Sequence, residues 1–176
     1  MRFQHPHFSC FPKSIQAQDN CRAAGRMMGK DTPFAVLRKE KEKMASDNQV
    51  FAWTGTDGRL NVQVGTSGQP NTLSQTSNNG PAIALFNGTY YLAWTGTNGQ
   101  LNIITSTDGV KWLEPTTLQE NSNNGPTLAI SPSKQLYLGW VGTDGRLNTL
   151  TLQGSGWSDK VILKQTSNKA YSLAIQ

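Results

Sequence analysis

The sequence predicts an all-β protein made of three repeated four-stranded antiparallel sheets within residues 44–176. Two signatures recur three times there, in alternation, and the stretches between them have the composition of strands. The first signature occupies Trp53–Asn61, Trp94–Asn102 and Trp140–Asn148. The second occupies Ser77–Ala84, Ser122–Ala129 and, more loosely, Ser167–Ala174. Because both signatures return in the same order, residues 44–176 are three copies of one structural unit.

The middle copy shows the strands of the unit most clearly. Stretches rich in Ile, Leu, Val, Thr, Tyr and Trp are separated by Gly, Asn and Asp at turn spacing, which is typical of antiparallel strands. The expected strands are Pro81–Phe86, Thr89–Thr95, Gln100–Thr107 and Thr116–Glu120. Asn-Gly and Asp-Gly pairs between them supply the positive φ angles that tight hairpins need. Both faces of the second strand are apolar, so we expect the sheet to lie between two others.

The spacing of the copies indicates β-propeller blades. Trp53 and Trp94 are 41 residues apart, and Trp94 and Trp140 are 46 apart. Joining Gln176 to Met44 would make the third interval 46 as well. Propeller blades are four-stranded sheets of about 40–45 residues stacked around an axis. The predicted architecture is therefore three propeller blades.

The two ends of this segment predict a cyclic permutation. Gln49–Thr54 matches a second strand without its first, and Tyr171–Gln176 matches a first strand without its second. Three blades are too few for a ring, because propellers have about 4–8. Head-to-tail pairing of two chains would close six blades and cover the unpaired edges. We therefore expect a homodimer; a truncated fragment is the alternative.

The net charge is confined to residues 1–43. The chain of 176 residues has a formal charge of +5, and residues 44–176 contain seven basic and seven acidic residues. Both Cys and both His also precede Met44. We expect residues 1–43 to be a basic, disordered leader; Met44 is an alternative native start, because codons for Lys39 and Glu40 can form a ribosome-binding sequence. The scattered basic residues argue against nucleic-acid binding.

The apolar runs are short throughout the sequence. None approaches the roughly 20 residues of a membrane span, and Pro33–Leu37 is too short for the core of a signal peptide. The expected location is the cytoplasm, with secretion by a non-classical route left open.

One hairpin carries a family resemblance. The stretch Ser106-Thr-Asp108-Gly109-Val-Lys-Trp112 resembles the Asp-box of sialidase-type (BNR) propellers, Ser-x-Asp-x-Gly-x-x-Trp, with one residue fewer between Asp and Gly. In that family the box is a structural hairpin away from the catalytic centre. The resemblance therefore implies that Asp108 and Trp112 stabilise the fold and take no part in catalysis. The few-blade chain also resembles small propeller lectins, which close their ring by oligomerising and bind sugars between blades.

The residue types argue against catalysis. A sialidase-like enzyme would use an arginine cluster, a Tyr–Glu nucleophile and an acid, yet residues 44–176 contain only Arg59 and Arg146, both in turns. Without His or Cys this segment has no Ser-His-Asp triad and no zinc site based on those residues. A glycosidase with two carboxylates is the remaining enzymatic alternative. We expect no enzyme activity, no cofactor and no metal.

The remaining polar and aromatic repeats favour multivalent carbohydrate binding, with a protein-interaction scaffold as the alternative. Sugar sites combine an aromatic platform with amide and carboxylate groups. The candidate ligand-binding residues are Asn78, Asn79, Asn123, Asn124, Trp112, Trp157, Asp57, Asn98 and Asp144. Ordinary turn chemistry is the competing interpretation for the Asn and Asp residues. Trp53, Trp94 and Trp140 are expected in the core between blades, and exposed sugar platforms are the alternative.

Overall fold

The structure is a computed structural model and describes residues 49–176. The predicted leader, residues 1–43, and the proposed start at Met44 lie outside these residues. All regular structure is β. Sheet 1 consists of β1 (Val50–Thr54), β2 (Arg59–Val64) and β3 (Asn71–Thr76). Sheet 2 consists of β4 (Ala82–Phe86), β5 (Thr89–Thr95), β6 (Gln100–Ser106) and β7 (Thr116–Asn121). Sheet 3 consists of β8 (Thr127–Ile130), β9 (Leu136–Val141), β10 (Arg146–Gln153) and β11 (Gly156–Thr166).

Each sheet is an antiparallel meander whose strands lie side by side in chain order. The four strands predicted for the middle copy agree with β4 to β7 to within one residue at each end. The turns β1–β2, β5–β6 and β9–β10 are equivalent, and each has a glycine with positive φ. The example in sheet 2 is Gly99, at +84°. This left-handed conformation favours glycine because a Cβ would be strained there. The coarse prediction of three repeated antiparallel sheets is confirmed.

The last two strands of every unit share an irregularity. In each sheet, the register between the last two strands shifts after the first paired residue. The shift follows Arg59 in sheet 1, Gln100 in sheet 2 and Arg146 in sheet 3. Such a bulge bends and twists the outer strand. The outermost strand of each sheet therefore departs from the simple hairpin alternation that the sequence pattern suggests.

The sheets pack face to face through two apolar cores. Between sheets 1 and 2, residues such as Leu60 and Val62 meet Leu92 and Trp94. Between sheets 2 and 3, the same repeat positions supply Leu101 and Ile103 from sheet 2. Leu138, Trp140 and Leu150 complete that second core from sheet 3. Sheet 2 is buried on both faces, as its apolar alternation predicts.

The strand predicted at Tyr171–Gln176 is not formed. The structure assigns no strand to the residues after Thr166. A strand needs hydrogen bonds from a neighbour, and no strand in the described part of the chain pairs with this segment. Sheet 1 correspondingly has three strands, with β1 at its edge. The segment packs on sheet 3 instead, where the Tyr171 hydroxyl donates to the Asn148 carbonyl at 2.6 Å.

Within residues 49–176, we find no helix long and apolar enough to cross a membrane.

Candidate functional site

Most of the polar candidate residues lie at one end of the sheets. The turns β1–β2, β5–β6 and β9–β10 lie at this end. Backbone hydrogen bonds join each turn to the segment that follows the last strand of the same sheet. Ser77 N donates to the Gly58 carbonyl at 2.9 Å, Ser122 N to Gly99 at 2.9 Å, and Ser167 N to Gly145 at 2.8 Å. The turn residues Asp57, Asn98 and Asp144 therefore share this end with the paired asparagines of the loops.

The turn residues organise their own hairpins. Asp57 Oδ1 accepts a hydrogen bond from Arg59 N at 3.1 Å, and Asp144 Oδ1 accepts one from Arg146 N at 3.0 Å. Asn98 does the same for Gln100 N at 3.1 Å. These side chains are exposed, and the second carboxylate oxygen of Asp144 lies 3.8 Å from Arg146 Nε in an exposed ion pair. Turn chemistry thus accounts for one oxygen of each residue.

A row of three residues crosses each sheet just below these turns. The strand register places each repeated Trp opposite an Asn, and that Asn opposite a residue of the outer strand. The rows are Trp53–Asn61–Thr72, Trp94–Asn102–Thr117 and Trp140–Asn148–Ile162. Residues that are directly opposite in this way share one face of a sheet.

The asparagine of the row is held in the same way in all three sheets. Its Nδ2 donates to the backbone carbonyl two residues earlier, at 3.0 Å for Asn61 and 2.8 Å for both Asn102 and Asn148. In sheets 1 and 2 its Oδ1 accepts a hydrogen bond from the threonine of the row, at 2.7 Å. Sheet 3 has Ile162 in place of that threonine, and Asn148 Oδ1 accepts no hydrogen bond from residues 49–176.

The paired asparagines contribute backbone as well as side chains. The Asn79 and Asn124 carbonyls accept hydrogen bonds from Thr54 and Thr95 Oγ1, each at 2.6 Å. Both residues are half-buried, whereas the side chains of Asn78 and Asn123 are exposed. The loops therefore bind one sheet to the next and leave Asn78 and Asn123 facing solvent.

The repeated tryptophans differ in burial. Trp94 is 3% exposed and Trp140 is 1% exposed, both within the cores between sheets, whereas Trp53 of sheet 1 is half-buried. Neither Trp94 nor Trp140 offers a free ring face to a ligand. At the junctions between sheets, this end therefore offers mainly the polar groups around the row for contact with a ligand.

Trp112 and Trp157 lie at the opposite end of the sheets and are half-buried. Trp112 packs on the core between sheets 1 and 2, and its indole N–H is buried without a hydrogen-bond partner among the described residues. Trp157 meets Tyr91 edge to face at 6.5 Å between ring centroids. Cavities of about 310 and 260 Å³ adjoin Trp112 and Trp157 respectively.

Asp108 shapes the hairpin before Trp112. Its Oδ1 accepts hydrogen bonds from the backbone N–H groups of Val110 and Lys111, each at 2.8 Å. These bonds hold the pKa of Asp108 below its usual value, because they favour the charged carboxylate. The Asp108 side chain thus stabilises its own loop, as expected for a hairpin residue.

A third cavity, of about 250 Å³, lies between sheets 2 and 3 at the end that carries the turns. We call it the junction pocket. Its walls include Glu120, Asp144, Asn148, Lys160 and Ile162, together with the edge of Trp140. Lys160 Nζ lies 2.6 Å from Glu120 Oε2 and 5.5 Å from the centroid of the Trp140 ring. The pocket thus combines two carboxylates, an ammonium, an amide and an aliphatic side chain.

Sequence reasoning found Asp144 and missed the other polar walls of this pocket. Glu120 and Lys160 are 40 residues apart and come from the outer strands of different sheets. A usable signal was present in the repeat itself, because Glu120, Lys160 and Ile162 replace Gln75, Pro115 and Thr117 of the other copies. Positions that break a repeat are therefore the ones to compare when a site is present in one copy alone.

The side chains that most often bind metals are those of His, Cys, Asp and Glu. Residues 49–176 contain no His or Cys, and no group of three or more metal-ligating His, Cys, Asp or Glu side chains is formed among them. The arrangement can accept and donate hydrogen bonds at a small polar cavity.

The comparisons with known proteins do not place the chain in a family. No family model matches it, and no curated protein matches it. Among solved structures, it is similar to a fucose lectin from Kordia zhangzhouensis in complex with methyl-fucoside, at 13% sequence identity. The match covers 67% of this chain and 90% of that chain, with a TM-score of 0.46.

Proposed function

We propose that the protein is a non-catalytic carbohydrate-binding module. The observation that carries the proposal is the junction pocket, where Asn148 Oδ1 lies with two carboxylates and an exposed aliphatic side chain around one cavity. A sugar ring presents hydroxyl donors on its edge and C–H groups on its faces. Asn148 Oδ1 and the carboxylates match the hydroxyls, and Ile162, which is 51% exposed, matches a C–H face.

We further propose that two copies associate head to tail into a six-bladed ring. The two outer faces of the sheet stack correspond to the two faces that meet at each internal junction. On sheet 1, Phe51 is 42% exposed, whereas Leu92 and Leu138 at the same repeat position are fully buried. On sheet 3, Leu163 is 37% exposed, whereas Leu73 is 8% exposed. Each end face therefore lacks the neighbour that its equivalents have.

The hydrogen bonds at the junctions also indicate that each end face lacks a neighbouring sheet. Ser77 Oγ donates to the Thr95 carbonyl at 2.7 Å, and Ser122 Oγ donates to the Val141 carbonyl at 2.8 Å, each reaching the next sheet. Ser167 makes the local turn bond to Lys169 and no bond to a further sheet within residues 49–176. The carbonyl at the equivalent position of sheet 1 is that of Thr54. A second copy would bring Thr54 to Ser167.

Association would make the protein multivalent. Two chains place at least two copies of any chain's site in one particle, and linked weak sites gain strongly in avidity on a surface that displays many ligands. This is the expected benefit of building a lectin from repeats.

Absence of catalysis is also part of the proposal. A glycosidase would need two carboxylates flanking one bond, about 5–9.5 Å apart, with one of them kept protonated. In the junction pocket Glu120 is paired with Lys160, and Asp144 accepts a hydrogen bond from its own turn. Both carboxylates thus serve as acceptors. Cytoplasmic localisation stays a prediction from the sequence.

The test is a glycan array probed with the full-length chain carrying a fluorescent label. We expect binding to a subset of neutral glycans. A blank array together with capture of specific protein partners would contradict carbohydrate binding and favour the interaction scaffold. Turnover of fluorogenic glycosides that is lost in Glu120→Gln or Asp144→Asn would instead show a glycosidase.

A further inference from the structure

The two internal junctions share the Trp–Asn pair of the row and differ at six of the positions that line the junction pocket, among them three on the outer strands next to the row. At the junction between sheets 1 and 2, the corresponding positions are Gln75, Pro115 and Thr117. At the junction between sheets 2 and 3 they are Glu120, Lys160 and Ile162. All three changes line the same cavity. This concentration in one cavity indicates a local specialisation of the second junction.

The change to isoleucine leaves one acceptor of the row without a side-chain donor. Asn61 and Asn102 have their Oδ1 atoms occupied by Thr72 and Thr117. Asn148 is only 4% exposed and keeps the same Nδ2 bond, but Ile162 has no hydroxyl to offer its Oδ1. A ligand hydroxyl that reaches Asn148 can therefore donate to this acceptor, as the threonine hydroxyl does in the other two rows.

The other two changes set the charge of the pocket. Lys160 and Glu120 form an ion pair across the junction, with the ammonium near the Trp140 ring. Asp144 adds a second carboxylate, which is itself paired with Arg146 at 3.8 Å, so each carboxylate at the pocket has one cationic partner. An anionic sugar would compete with Glu120 and Asp144 for cations that are already paired, and a metal ion would meet the Lys160 ammonium. Neutral hydroxyls satisfy the acceptors without either penalty.

We infer that the junction pocket is the single ligand site of each chain and that it takes one neutral polyhydroxylated ring. The inference rests on the proposed carbohydrate-binding function and narrows it. The junction between sheets 1 and 2 keeps its acceptor closed by Thr117 and serves as framework. A two-chain ring would therefore hold two sites, one per chain, although it contains six repeats.

The experiment is an amide NMR titration of the isotopically labelled full-length chain. The probes are the methyl glycosides of glucose, galactose, mannose, fucose, xylose and N-acetylglucosamine, added one at a time, and the methyl glycoside of sialic acid as the anionic probe. We expect at least one neutral probe to shift the side-chain amide of Asn148 and the indole of Trp140. The equivalent signals of Asn102 and Trp94 should not move, and the anionic probe should shift none of these signals.

Two matched variants test the role of the freed acceptor. Ile162→Thr restores the threonine of the other rows, and we expect it to raise the Kd of the responding probe about tenfold, the worth of one hydrogen bond. Thr117→Ile makes the reverse change at the other junction and should leave that Kd unchanged. Both variants should retain the dispersed amide spectrum of the folded protein.

The outcomes separate this inference from the proposed function. Binding on the glycan array together with shifts at Asn102, Trp112 or Trp157 equal to those at Asn148 would overturn the single site and leave carbohydrate binding intact. An unchanged Kd in Ile162→Thr would overturn the role of the freed acceptor. A blank array with no shift from any probe would overturn both proposals.

Discussion

The internal junctions and the end faces of the sheet stack contain the same repeat positions in different surroundings. At the internal junctions, Trp94 and Trp140 are almost fully buried, and Ser77 and Ser122 are completely buried. At the ends, Trp53 and Ser167 are half-buried, and Phe51 is exposed. The comparison shows that burial here is decided by the neighbouring sheet, because each sheet supplies only one side of a core.

The largest expected effect is the difference in stability loss between Trp140→Ala, at an internal junction, and Trp53→Ala, at an end face. Trp140→Ala removes a buried side chain from the core between sheets 2 and 3, and we expect a loss of about 3–5 kcal/mol in the free energy of unfolding. Trp53→Ala removes a half-buried side chain from an end face and should lower the unfolding free energy of the dissociated chain by much less. It should instead weaken association.

Urea unfolding at high dilution measures the first effect, and sedimentation at several concentrations measures the second. Equal losses of unfolding free energy in the two variants, with association unchanged, would show that the end face of sheet 1 is not an unfilled junction.

A smaller effect separates the serines. Ser122→Ala leaves the Val141 carbonyl without its 2.8 Å donor inside a junction, and we expect a cost of about 1–3 kcal/mol. Ser167→Ala should change the stability of the dissociated chain by less than about 0.5 kcal/mol, as for most surface substitutions. Thermal and urea unfolding of both variants checks the difference. A Ser167→Ala cost equal to that of Ser122→Ala in dissociated chains would contradict it.

The smallest effect concerns Asp108, which acts within one hairpin. Its pKa is lowered in the folded chain, so its contribution to stability is present above the unfolded pKa of about 4 and is lost as the pH falls through the folded value. Asp108→Asn should therefore have a slightly lower Tm than the natural chain at pH 7. The difference should shrink as the pH is lowered from 7 toward 2, because protonation of the Asp108 carboxylate removes its advantage over the neutral amide. Calorimetry at the two pH values measures it, and a pH-independent difference would contradict this assignment.

The repeated sheets were predictable because two sequence signatures recur three times in the same order. Asn-Gly and Asp-Gly turns set the hairpins, and the alternation around Trp94 gave both buried faces of sheet 2. The C-terminal segment near Tyr171 was predicted as a strand from its likeness to β4, but a strand forms only beside a partner. The sequence pattern had already identified the missing second strand, and without such a neighbour among the described residues this segment pairs with no sheet.

The candidate site was less predictable. Asp144 followed from the repeat, whereas Glu120 and Lys160 meet only after the outer strands are placed. Those strands carry bulges, so their side chains do not follow simple alternation. The open acceptor of Asn148 depends on the register that puts Ile162 opposite it. Such relations between distant residues are set by packing and are invisible in single motifs.

The most direct test of the comparison is the mass of the full-length chain in solution, measured by light scattering during size-exclusion chromatography. If the two end faces are the halves of one unfilled junction, the natural chain elutes at twice the chain mass, and Trp53→Ala shifts it toward the monomer. A monomer over the whole accessible concentration range would contradict the account.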